Sequence, residues 1–191
     1  MDPILQWLPV ASVIAIYLAR ILELRTRRNT VAGPVRETLT LRLFILAGTL
    51  MLLGGIAEYF WRDQSLNWIT FILGWACAAA SFSIRRSAIA ALGQFWSLHV
   101  EIRQNHQFVN TGPFRWMRHP TYFSMILELL SLGLILNALF TMPVVAVIFL
   151  PTLLLRLRLE ETALVEKFGN EYREYKRKTP MLFPLRIPRN P

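Results

Sequence analysis

Apolar residues fall along this chain in long runs rather than on one narrow face, and the first run covers residues 4–22. A run of that length predicts a helix that crosses a bilayer, whose hydrocarbon core takes about 20 residues. It opens after Pro3 with no basic region before it and no small-residue cleavage pattern, so a membrane helix is expected, not a signal peptide. A second run, 41–60, carries Gly48, Gly54 and Gly55, small residues that let helix backbones approach where lipid gives no hydrophobic drive. The third starts near Trp68 and continues to about Ala91, with Arg85 and Arg86 in its last turns expected to snorkel to the membrane surface. The fourth and fifth runs, 121–139 and 143–157, are separated only by residues 140–142, which predicts an antiparallel pair. Each is short for a full span, so tilt or local thinning of the bilayer is implied.

The polar intervals set the topology. Residues 23–40 carry Arg25, Arg27, Arg28 and Arg36 plus a Gly33-Pro34 breaker, a basic loop that the positive-inside rule places in the cytoplasm. Residues 62–67 form a tight turn, flanked by Trp61 and Trp68 as interfacial anchors. Residues 92–120 turn polar, with three histidines and several aromatics, and a loop that long in a compact chain is usually functional. After Arg156 the pattern becomes amphipathic, with Leu164, Val165, Phe168, Tyr172 and Tyr175 on one face, and it ends in Pro180, Pro184 and Pro188. The prediction is an all-α polytopic membrane protein of about five transmembrane helices, N-terminus outside and C-terminus inside, with both long basic segments and the charged tail on the cytoplasmic side. Residues 1–91 form an N-terminal three-helix membrane region. Residues 92–191 supply the core: the cytoplasmic loop, helices four and five and the amphipathic helix, in one integrated domain.

Composition narrows the function classes. With 54% hydrophobic and 17% charged residues the bilayer is the natural solvent. The net charge of +9 does not point to nucleic acid, because the charges lie between the apolar stretches rather than on one basic face. Only Lys167, Lys176 and Lys178 are lysines among 21 basic residues, and arginine suits planar recognition of carboxylate or phosphate. Topological bias accounts for most of these arginines. Cys77 is the single cysteine, in the apolar run 74–80, so no internal disulfide or thiolate cluster is built and a packed small residue is expected there. His99, His106 and His119 fit no HxxxH or HExxH spacing, so no metal site is expected. Neither a GxSxG elbow nor a GxGxxG fingerprint is present.

Candidate chemistry gathers in residues 106–122 (HQFVNTGPFRWMRHPTY) and 156–175 (RLRLEETALVEKFGNEYREY). They bracket the fourth and fifth helices, so a hairpin brings them to one membrane face. Pro120 suits the first position of a helix, placing His119 at the cap, and the positive helix end would favour an anionic group. The bland alternative, that His119-Pro120 only starts a helix while Arg118 meets lipid head groups, fits the same residues. Arg156 and Glu160 share a face at i, i+4; such pairs often only steady a helix, but beside a bilayer a charged pair is costlier to keep. Glu161 faces elsewhere, as a solvated neighbour or a partner for Arg118. Glu128, in the middle of the fourth helix, is expected to pair with Arg85 or Arg86.

The series Gly112-Pro113-Phe114-Arg115-Trp116-Met117-Arg118-His119-Pro120-Thr121-Tyr122, then Arg156, Glu160-Glu161, Phe168-Gly169, Glu171-Tyr172 and Tyr175, resembles the isoprenylcysteine carboxyl methyltransferases and their prokaryotic relatives. The resemblance covers roughly residues 92–184 and implies a membrane enzyme that takes its methyl group from S-adenosyl-L-methionine and releases S-adenosyl-L-homocysteine. It implies cofactor contacts at His106, Gln107, Phe108 and Val109, at Phe114, and at His119, Pro120, Thr121 and Tyr122, with Glu160 as the cofactor-binding acid. Arg118 and Glu161 join that set, and a polar contact just before His106 falls on Glu101 or Gln104. Arg156 matches the arginine that holds the substrate carboxylate, so Arg156 and Glu160 are the residues expected to carry catalysis. Phe114 departs from the family, which often has Tyr there. The implied partners are the lipid bilayer and a lipophilic, prenylated-cysteine substrate, with no obligate protein partner.

Three rival readings remain at this point: a phospholipid amine N-methyltransferase, in which Glu160 or His119 takes the amine proton; an NADPH-dependent sterol-type reductase, similar in its His-Pro-x-Tyr and Gly-x-x-Tyr elements; and a membrane scaffold. The Glu160-Glu161 pair favours methyl transfer over reduction, and a scaffold leaves the charge cluster unexplained.

Overall fold

The computed structural model describes residues 3–25, 38–96 and 108–183. Among the described residues there are six α-helices and no strand: α1 (Pro3–Arg25), α2 (Leu39–Trp61), α3 (Trp68–Leu92), α4 (Pro120–Leu136), α5 (Thr141–Phe168) and α6 (Asn170–Lys178). Helices α1, α2, α3 and α5 are long and apolar enough to cross a membrane, and α4 is a shorter apolar helix. Val13, Met51, Ile135, Leu136, Val145 and Leu157 close the interior, while Leu18, Leu53, Ile69, Ile72, Val147 and Leu154 are each more than half exposed. Apolar side chains packed inward and apolar side chains facing out are what a bundle dissolved in lipid requires. The protein is an integral, multi-pass membrane protein of all-α fold.

The fifth helix differs from expectation. It does not end near residue 157 but continues unbroken to Phe168, because Arg156 and Glu161 turn inward and find partners there. Its 28 residues rise about 42 Å, more than a hydrocarbon core of about 30 Å, so its charged last turns project from the apolar slab. The shortness expected of both members therefore holds only for the 17-residue α4. Gly169, at φ +57°, stops the helix in a backbone conformation that glycine adopts without a Cβ penalty. The single amphipathic run expected after Arg156 is thus divided between α5 and α6.

Helix α4 packs chiefly along α3, and α5 along α2. The α3–α4 approach depends on Gly74, where a Cβ would lie 2.6 Å from Ile135 Cγ1 and 2.9 Å from the Ser131 carbonyl oxygen. Of the three glycines in α2, Gly55 is the tightest, 2.9 Å from Leu136 Cδ1 by the same construction, whereas Gly48 meets only Tyr17 at 4.0 Å.

One end of the bundle holds the short turns. The buried Glu58 carboxylate of α2 accepts the backbone N–H groups of Phe140 at 3.1 Å and Thr141 at 2.7 Å, capping the start of α5. Arg62 and Gln64 donate to the Asn137 carbonyl, and Tyr59 donates to the Gln6 carbonyl, bringing the beginning of α1 to the same end. The opposite end collects the start of α2, the end of α5, residues 108–119 and α6.

Arg85 is buried rather than snorkelling: Nε donates to Glu23 of α1 at 2.7 Å and Nη1 to Glu128 of α4 at 2.5 Å. Two inward carboxylates hold it in the bundle, while Arg86 is exposed. The pairing expected of Glu128 is thereby made with Arg85.

Candidate functional site

The start of α4 is built around Pro120, which needs no N–H partner at the first helical position and follows His119 at the cap. The preceding backbone is clamped by the C-terminal segment: the N–H of Arg118 donates to the Pro180 carbonyl at 2.9 Å and that of His119 to the Met181 carbonyl at 3.1 Å. The Arg118 side chain makes a second tie, donating through Nη1 to the carbonyls of Lys176 and Thr179 at the end of α6. Its Nη2 lies 2.8 Å from Glu161.

Helix α5 meets this cap with successive carboxylates that have different surroundings. Glu161 is buried and faces three nitrogen groups: Arg118, Lys176 Nζ at 2.6 Å and His119 Nε2 at 3.3 Å. Glu160 keeps 33% of its side chain exposed, with His119 Nδ1 at 3.8 Å. The His119 ring therefore stands between the two acids. Burial alone would lower its pKa, but hydrogen bonding and charge from Glu160 and Glu161 outweigh it and raise the imidazole above its ordinary value.

Tyr122, one turn into α4, completes the cluster. Its hydroxyl donates to Glu160 Oε2 at 2.5 Å and accepts from Arg156 Nε at 3.1 Å. Arg156 is buried, with 4% of its surface exposed, and its Nη1 donates to Thr40 of α2 at 2.8 Å. Arg156 and Glu160, expected as neighbours on one helix face, are thus joined through a hydroxyl from the facing helix. The expectation that Glu161 pairs with Arg118 is met, and the alternative of a solvated Glu161 is not.

A second, aromatic group lies beside the polar one. Phe108 packs against Phe168, Tyr172 and Tyr175 with ring centroids 5.0 to 6.0 Å apart. Tyr175 donates its hydroxyl to the Phe114 carbonyl at 2.6 Å, and burial raises the pKa of both Tyr172 and Tyr175. Phe108, Arg115, Glu171 and Lys178 also line a cleft of about 360 Å³. Phe114 is buried, Val109 and Thr121 half-buried. Glu101, Gln104, His106 and Gln107 lie outside the described residues, and among the described residues no cluster of His, Cys, Asp or Glu has the makings of a metal site.

Two contributors escaped the sequence reading. Thr40 opens an apolar helix far from the other site residues, and a single hydroxyl there carries no pattern. Lys176 belongs to an exposed basic run, and only the turn at Gly169 brings it to Glu161.

The arrangement suits a bound zwitterion and a carboxylate. A half-open acid at Glu160 has the charge and reach to take an ammonium group, and Arg156 offers a planar cation in a site where little water competes. The buried Tyr172 hydroxyl and Arg118 Nε, which have no hydrogen-bond partner among the described residues, leave further polar capacity beside Glu161.

Comparison with known proteins places this geometry. The chain is 35% identical over 95 residues to an uncharacterised protein, YpbQ, of Bacillus subtilis, covering 49% of this chain and 56% of that one. It is 29% identical over 118 residues to the protein-S-isoprenylcysteine O-methyltransferase of Schizosaccharomyces pombe, covering 61% and 49%. It spans about half the length of these curated relatives. The solved structure of the eukaryotic intramembrane Ras methyltransferase ICMT shares the fold, with a TM-score of 0.62 at 22% identity over 72% of this chain and 52% of that one. The family model for isoprenylcysteine carboxyl methyltransferases matches residues 72–166, the stretch that contains α4, Arg156 and both acids. The chain belongs to the isoprenylcysteine carboxyl methyltransferase family.

Proposed function

We propose that this protein transfers a methyl group from S-adenosyl-L-methionine to the carboxylate of a lipophilic substrate of the isoprenylcysteine type. The observation that carries the reading is Arg156: a buried guanidinium held by Tyr122 and Thr40 and tied through Tyr122 to the half-open Glu160.

Glu160 and His119 fit the amino-acid end of the cofactor, with Pro120, Thr121, Phe114, Phe108 and Val109 around it and His106, Gln107 and one of Glu101 or Gln104 contributed by the preceding loop. When bound, the cofactor supplies a methyl group activated by a sulfonium. Arg156 binds and orients the acceptor carboxylate and takes the place of the water that would blunt it. A terminal carboxyl, with a pKa of about 3.5, is already ionised at neutral pH, so the site needs no general base. Arg118 and Glu161 hold the cap in which His119 sits. The apolar bundle gives a prenyl chain a lipid-side approach to Arg156, with the site at the cytoplasmic end.

Ligand stabilisation tests the reading, because a ligand that binds only the folded state raises stability by RT ln(1 + [L]/Kd). Detergent-solubilised protein is expected to gain thermal stability with S-adenosyl-L-homocysteine and none with NADPH, and to methylate N-acetyl-S-farnesylcysteine. Stabilisation by NADPH alone, or methyl transfer to phosphatidylethanolamine in place of the prenylcysteine, would overturn it.

A further inference from the structure

We infer that Thr40, at the start of α2, is a positioning residue for the acceptor site: it accepts a hydrogen bond from Arg156 and sets the plane in which that guanidinium meets a carboxylate. The inference rests on the role proposed for Arg156. Thr40 stands outside residues 72–166, the stretch matched by the family model, so nothing in that match assigns it.

Thr40 is fully buried, at 0% exposure, on the first turn of a membrane helix whose following residues are mostly apolar. Its Oγ1 receives Arg156 Nη1 at 2.8 Å, and the Tyr122 hydroxyl receives Nε at 3.1 Å. A guanidinium is a rigid plane, so two acceptors on two different nitrogens, one from α2 and one from α4, leave it little freedom to rotate. The Tyr122 ring that carries one of these acceptors is itself buried in the core, 6.5 Å from Phe44 of α2 between centroids. Bidentate recognition of a carboxylate depends on the orientation of that plane, whereas a charge alone would not need it. Helix α2 therefore contributes to how the substrate carboxylate is read, and is more than an anchor.

The test compares Thr40→Val, which keeps shape and loses the acceptor, with Thr40→Ser, which keeps the acceptor, using N-acetyl-S-farnesylcysteine and labelled S-adenosyl-L-methionine. A hydrogen bond to a charged group supports a fall in kcat/KM on the order of tenfold or more for Thr40→Val. The loss should fall on the acceptor KM, leaving the KM for S-adenosyl-L-methionine and stabilisation by S-adenosyl-L-homocysteine as in the wild type. Thr40→Ser should recover to within about threefold, the remainder being lost packing. If Thr40→Val does not fold, Thr40→Ala carries the same expectation. Wild-type acceptor kinetics in Thr40→Val, an equal loss for both substrates, or no rescue by serine would overturn the inference. Arg156→Ala separates the two levels: an inactive Arg156→Ala beside an unaffected Thr40→Val sinks only the role of Thr40, whereas an active Arg156→Ala sinks the reading beneath it as well.

Discussion

The Tyr122 hydroxyl donates to Glu160 at 2.5 Å across the junction of α4 and α5. The same oxygen receives Arg156, so the groups proposed to hold cofactor and acceptor share one hydroxyl. Removing it with Tyr122→Phe uncouples both while keeping the ring against Phe44. Methyl transfer should fall by roughly tenfold or more, the scale of a hydrogen bond to a charged group, and stabilisation by S-adenosyl-L-homocysteine should weaken. Unaltered turnover with unaltered ligand stabilisation would show that the hydroxyl is idle.

The Arg118–Glu161 pair is buried on both sides, with 7% of each side chain exposed. Removing one member of a buried pair costs up to about 3 to 5 kcal/mol; Arg118→Met leaves the Glu161 carboxylate to Lys176 and His119 alone. Arg118→Met and Glu161→Gln should each destabilise the protein strongly, and the double variant by much less than their sum, read as a coupling in a double-mutant cycle. Additive losses would contradict the ion cluster.

His119 gives a pH dependence whose sign is fixed. Its pKa is raised on folding, so the folded state binds the proton more tightly than the unfolded chain. That contribution is fully present below the unfolded histidine value of about 6.5 and is lost as pH rises through the higher folded value. The thermal midpoint should therefore decline as pH is raised past neutrality, and His119→Asn should flatten the decline. An equal slope in the variant would assign the titration elsewhere.

Glu58 serves the other end of the bundle. Its carboxylate accepts two backbone N–H groups at the start of α5, and Glu58→Ala leaves them unpaired in an apolar setting. A loss of about 1 to 3 kcal/mol per orphaned group is expected, read by thermal denaturation in detergent. A variant as stable as the wild type would contradict the capping role.

The helices were legible in the sequence because lipid demands continuous apolar runs, and residues 4–22, 41–60 and 68–91 fall within or at the edges of α1, α2 and α3. The hairpin logic also held for the described part of the two segments, residues 108–122 and 156–175, since Tyr122 and Glu160 touch. What was hidden depends on direction. The sequence pairs Glu128 with Arg85 or Arg86, but says nothing of Glu23, the second carboxylate that meets Arg85 inside the bundle. Glu161 reads as a solvated neighbour or a partner for Arg118, and only the tail folding back adds Lys176. Thr40 is out of reach of any local pattern, because its partner lies more than a hundred positions away and only the packing of α2 on α5 brings them together.

The most direct test of the central claim is methyl transfer by Arg156→Ala. With labelled S-adenosyl-L-methionine and N-acetyl-S-farnesylcysteine, the variant should show no transfer above background while S-adenosyl-L-homocysteine still raises its thermal stability. Transfer at the wild-type rate would contradict the account.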